Sequence, residues 1–137
     1  YPTFTAPDVR SGGDVLIFQL MVTDAGGLKA TDTCSVNVSW NNLPPTADAG
    51  PDQTVSEKVQ VILSGGGSFD PDGDSLTYLW WFGDGVASTG RNPSHCYSST
   101  GIFNIRLVVN DGINDSDPVF TTMSVSGGGG MGGGGCP

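Results

Sequence analysis

Hydrophobic and polar residues alternate along most of this chain with a period of two, the spacing of strands that bury one face. Val59, Val61 and Leu63 form one set, Tyr78, Trp80 and Phe82 a second, Phe103, Ile105, Leu107 and Val109 a third, and Val119, Thr121, Met123 and Val125 a fourth. These sets predict strands around one core, with no convincing amphipathic helix between them. Trp80 is the natural core anchor, because an indole on a central strand can fill the gap between two sheets about 10 Å apart. The same alternation turns Leu79, Trp81 and Val108 outward. A small apolar patch is expected there, read either as an intermolecular contact surface or as scattered surface hydrophobes.

The pattern also repeats. Phe18-Gln19-Leu20-Met21-Val22-Thr23-Asp24 matches Ile105-Arg106-Leu107-Val108-Val109-Asn110-Asp111 at an offset of 87 residues, which also sets Val36 on Met123 and Val38 on Val125. Such an offset is about the length of one sandwich domain. The chain is therefore expected to be all-β, with one complete β-sandwich preceded by a partial one. Residues 1–40 hold the closing half of a first unit, 41–45 a linker, 46–126 the complete domain, and 127–137 a Gly-rich flexible tail carrying Cys136. Pro44 and Pro45 restrict the backbone at the linker, which suits a semi-rigid joint in a tandem array. A lone sheet of two or three strands is marginal in water. Strands within 1–40 are thus expected to be covered by another chain or a neighbouring segment.

Composition narrows the partners. Five Lys and Arg against fourteen Asp and Glu give a formal net charge of −9, which disfavours nucleic acid and anionic lipid and attracts divalent cations. No stretch approaches the roughly 18–20 apolar residues of a membrane span. Tyr1 opens directly into strand-like sequence without a charged, apolar leader, so the chain reads as mature or excised. Cys34, Cys96 and Cys136 lie far apart with no CxxC pair, so neither a zinc site nor a haem attachment is indicated. They stand either as three separate thiols or as a bridge or anchor involving Cys136.

Several motifs in order resemble the PKD (polycystic kidney disease) domain family. Pro45-Thr46-Ala47-Asp48-Ala49-Gly50-Pro51-Asp52-Gln53-Thr54-Val55 is similar to the family's opening strand, and Ser68-Phe69-Asp70-Pro71-Asp72-Gly73-Asp74 to its acidic turn. Trp80-Trp81-Phe82-Gly83-Asp84-Gly85 resembles the signature W-D-F-G-D-G, and His95-Cys96-Tyr97, Gly101-Ile102-Phe103 and Val109-Asn110-Asp111-Gly112 follow in register. Residues 1–40 resemble the closing half of a related repeat. The resemblance implies an immunoglobulin-like sandwich of extracellular or cell-surface proteins. Members usually carry polar residues, often Asp, at the outward positions beside the signature Trp, where this chain has Leu79 and Trp81.

The acidic turn offers hard oxygen donors at alternate positions, with Gly73 permitting the bend. It lacks the closing Glu of an EF-hand, and strands flank it. The resemblance implies calcium bound at positions matching Asn42, Asp70 and Asp72, with Asp74 assisting; a solvated acidic turn without metal is the other reading. His95 and Cys96 are adjacent on a predicted strand and point to opposite faces, so they cannot converge on one substrate atom. Without a phosphate loop or an acid–base carboxylate pair, the chain is expected not to be an enzyme.

Two functions fit. The first is a structural or adhesive building block of a surface array or filament, in which copies or neighbouring domains assemble by strand complementation and apolar contacts. The second is an accessory substrate- or glycan-binding module of a secreted enzyme, with Trp81 as a stacking platform.

Overall fold

The computed structural model describes residues 1–7, 9 and 12–128. The chain forms two compact units, Tyr1–Asn42 and Leu43–Pro137.

The first unit is a hairpin of β1 (Asp14–Thr23) and β2 (Lys29–Val38), paired antiparallel with Phe18 opposite Cys34. Asp24 closes it, its carboxylate accepting the Leu28 N–H at 2.8 Å while its carbonyl accepts the Gly27 N–H at 3.0 Å. Gly27 takes the left-handed φ of 86° that this turn needs. The Phe4 ring lies on Phe18, centroids 4.5 Å apart, but most of the hairpin's apolar side chains are exposed.

The second unit is a β-sandwich of β3 (Gln53–Ser56), β4 (Gln60–Ile62), β5 (Thr77–Trp81), β6 (Ala87–Thr89), β7 (Ser94–Cys96), β8 (Gly101–Asn110) and β9 (Val119–Ser126). One sheet has the order β3-β9-β8-β5-β6, with β3 parallel to β9 and the remaining neighbours antiparallel; β4 and β7 pair separately. Leu63, Trp80, Phe82, Tyr97, Ile105, Leu107, Val109 and Met123 are buried between the layers. Period-two spacing produces this directly, since alternate residues of β5, β8 and β9 share the inner face. Tyr78, Phe103 and Val119 pack at its margin. Val59 departs from its expected inward position and is 43% exposed. It sits in the turn before β4, next to Lys58 at φ 62°, where alternation does not apply.

The 87-residue repeat is structural as well as sequential. Shifted by that offset, β1 falls on β8 end to end, and the pair Phe18–Cys34 falls on Ile105–Thr121. Leu107 and Val109 are fully buried, whereas their counterparts Leu20 and Val22 are 64% and 54% exposed.

The indole and the phenol of the core each find a hydrogen-bond partner. The Trp80 Nε1–H donates to the Gly90 carbonyl at 3.1 Å, and the Tyr97 hydroxyl to the Phe82 carbonyl at 3.0 Å. Burial, and after it the charge of Asp84, push the Tyr97 phenol above its ordinary pKa, so it remains a donor. Tyr97→Phe removes that donor and strands a buried carbonyl. It is expected to cost about 1–3 kcal/mol in urea unfolding with the fold retained.

Candidate functional site

The outer face of β6-β5-β8 carries three cross-strand rungs. Thr77 lies opposite Asn110; Leu79 lies between Thr89 and Val108; Trp81 lies between Ala87 and Arg106. The register follows from strand pairing alone, because residues directly opposite in an antiparallel pair project to the same face. The sheet and the loops beside it enclose a groove of about 970 Å³, with Leu79, Trp81 and Val108 among its lining residues. The three outward residues expected from the sequence therefore share one surface. Leu79 is exposed, while Trp81 and Val108 are half-buried.

Trp81 is shielded by a neighbour on the adjacent strand. The Arg106 guanidinium carbon lies over the indole, 4.4 Å from the ring centroid, a cation–π arrangement. On the β6 side, Arg91 is held by a hydrogen bond from Nη2 to the Gly66 carbonyl at 2.9 Å. At the Thr77 rung the Thr77 hydroxyl donates to the Asn110 carbonyl at 3.2 Å, and Asn110 Nδ2 donates to Asp115 Oδ1 at 2.8 Å. The groove thus combines an aromatic floor, two guanidinium groups and several hydroxyl or amide groups, a mixture suited to ligand binding. Sequence reading had singled out none of these polar members. Outward Val108 placed Arg106 and Asn110 on its face by alternation, so those two were within reach; Arg91 sits in a loop, where no periodicity operates.

The acidic turn folds around Asp70. Its Oδ1 accepts the backbone N–H groups of Asp72 and Asp74, at 2.9 and 3.0 Å. Asp72 Oδ2 accepts the Leu43 N–H at 2.7 Å. Asp70 Oδ2 is buried without a hydrogen-bond partner, the condition a cation would relieve. Among the described residues no three His, Cys, Asp or Glu side chains gather as a metal site, so carbonyl oxygens or water would have to complete a coordination shell. Asn42 belongs to the first unit and the acidic turn to the second.

His95 has a structural setting. Its Nε2–H donates to Asp84 Oδ2 at 2.7 Å, its ring stacks on Phe82 at 4.2 Å, and Tyr97 meets it edge-on at 4.6 Å. The pair ties the Gly83–Gly85 turn to β7. Cys96 beside it is disulfide-bonded, whereas Cys34 is free and exposed, which corrects its place among the bridge candidates. Cys136 lies outside the described residues.

The open sandwich and the signature turn define an immunoglobulin-like module, and residues 42–125 match the PKD domain family. The chain belongs to that family. It is 34% identical over 113 residues to the collagenase ColQ1 of Bacillus cereus (strain Q1), covering 82% of this chain and 10% of that protein. Among solved structures it is similar to the PKD1 domain of Vibrio anguillarum Epp, with a TM-score of 0.54 and 26% identity over 64% of this chain and all of that one. It is also similar to a chain from a study of the promiscuous specificity of carbohydrate-binding modules from the β-sandwich superfamily. There the TM-score is 0.57 and the identity 26%, over 64% of this chain and 36% of the other. The chain spans roughly a tenth of the length of its first curated relatives. The matched domain is a non-catalytic module, although relatives that carry it include enzymes.

Proposed function

We propose that this chain is an extracellular, non-catalytic accessory module of a secreted enzyme, which holds the catalytic part on a polymeric substrate through the β6-β5-β8 groove. The single observation that carries this reading is the groove itself, where an outward Trp81 shares a concave surface with Leu79, Val108 and two arginines. Similarity to a collagenase and to a structure from work on carbohydrate-binding modules supports it. Stacking on an indole and displacement of water from the floor would supply affinity, and the polar rim orientation. Trp81→Ala is expected to weaken binding to insoluble polysaccharides at least tenfold in a pull-down series while leaving the circular dichroism spectrum unchanged. Undiminished binding by that variant would remove the groove from the mechanism.

Calcium is part of the same proposal. Asp70 Oδ2, with Asp72 and backbone carbonyls of the turn, would take the ion, with Asp74 as the further candidate. Titration calorimetry with calcium is expected to give heat that Asp70→Ala abolishes; an unchanged melting temperature with chelator and no heat would rule the ion out.

A structural or adhesive role has one observation in its favour, the exposure of Leu20 and Val22 where the repeat counterparts are buried. A fibre subunit completing that face with another copy would assemble in dilute solution. An accessory module would sediment as a monomer.

A further inference from the structure

We infer that the β6-β5-β8 groove takes an anionic polysaccharide, with a sugar ring against Trp81 and its acidic group on Arg106, while Arg91 lines the Thr77 end of the same groove. The inference rests on the substrate-binding reading above and narrows it to one chemical class. The chain has only five Lys and Arg in 137 residues and a formal net charge of −9, yet two of the five line this groove. Among the described residues the one ion pair is His95–Asp84, so no described carboxylate neutralises either arginine. Arg106 instead rests on the Trp81 ring, which orients the guanidinium without using its N–H donors. Those donors remain available for a carboxylate or sulfate, which a guanidinium can grip with two parallel hydrogen bonds.

The rest of the surface favours a sugar chain over an acidic peptide. Main-chain donors and acceptors of β5 and β8 are consumed by the ladder, so a peptide lying across this face finds no backbone partners of the kind a sheet edge provides. Thr89 presents a hydroxyl, and Thr77 the lone pairs of one whose hydrogen goes to the Asn110 carbonyl, both of which match sugar hydroxyls. From Arg106 to Asn110 the strand advances about 13 Å, which separates Arg106 from Asp115, the one carboxylate lining the groove. Phe120, opposite Arg106 on β9 and 66% exposed, extends the aromatic row past the arginine. The chain's overall negative charge opposes an anionic ligand, but exposed charges more than about 10 Å away are largely screened at 0.1 M salt, so the nearby guanidinium groups decide the contact.

The test uses the 137-residue chain with three soluble probes: polygalacturonate, the same polymer fully methyl-esterified and therefore uncharged, and polyglutamate. Polygalacturonate is expected to bind about tenfold or more tightly than its ester, with affinity falling as sodium chloride rises. Arg106→Gln should weaken polygalacturonate binding far more than ester binding and so remove that preference. Trp81→Ala should weaken both pectin chains. Equal binding of acid and ester, indifferent to Arg106→Gln, would overturn the anionic assignment and leave the accessory-module reading standing. Preference for polyglutamate over polygalacturonate would make the partner an acidic peptide and overturn it too, as would failure to bind either pectin chain. If Trp81→Ala changed binding to none of these probes nor to the insoluble polysaccharides, both readings would fall.

Discussion

Trp80→Ala is expected to cost the second unit about 3–5 kcal/mol, whereas Trp81→Ala, one residue further along the same strand, should cost no more than about 1 kcal/mol. Trp80 is fully buried among Leu63, Tyr97, Leu107 and Met123, and its Nε1–H satisfies the Gly90 carbonyl. Truncation opens a cavity between the layers and removes the indole partner of that carbonyl. Domains are typically stable by only about 5–15 kcal/mol, so the loss would remove much of the margin. Trp81 gives up a cation–π contact and a half-buried ring face. Urea unfolding followed by far-ultraviolet circular dichroism separates the two, and equal losses would mean that the faces of β5 are misassigned.

Gly83→Ala should be the next most damaging change, at about 2–4 kcal/mol. Gly83 holds φ 85°, and a Cβ there would lie 2.7 Å from the Asn104 carbonyl oxygen and 3.0 Å from its nitrogen. Both are backbone atoms of β8 and cannot swing aside. Asp84 follows immediately, so the variant should also disturb its pairing with His95, visible as a shift of the His95 ring resonances. Gly85→Ala supplies the control. Its φ is 93° but nothing lies within 4 Å of the added carbon, which leaves only the backbone penalty of about 1–2 kcal/mol. Comparable losses in the two variants would show that strain, and not the approach of β8, sets the cost.

The contrast between neighbouring residues shows how far local pattern reaches. Period-two alternation reports which way each side chain of one strand points, because that direction is set by the pleat of the strand itself. Hence Trp80 inward and Trp81 outward could be read without coordinates, as could the repeat that aligns β1 with β8 and the bend at Gly73. Val59 failed where the strand had not yet begun.

Everything in the groove that depends on neighbours required the tertiary structure. Arg106 meets Trp81 only because β8 pairs with β5 in a register that sets them opposite, across 24 residues of intervening chain. Arg91 reaches the same surface from a loop pinned to Gly66. Asp84 finds His95 by the packing of the signature turn on β7. The amino-acid order by itself determined the strand faces, the core anchor and the family motifs, since these are local or nearly so. Strand neighbours and register are chosen by the whole core at once, so the meeting of Arg106 with Trp81 was decided only when the sheet assembled.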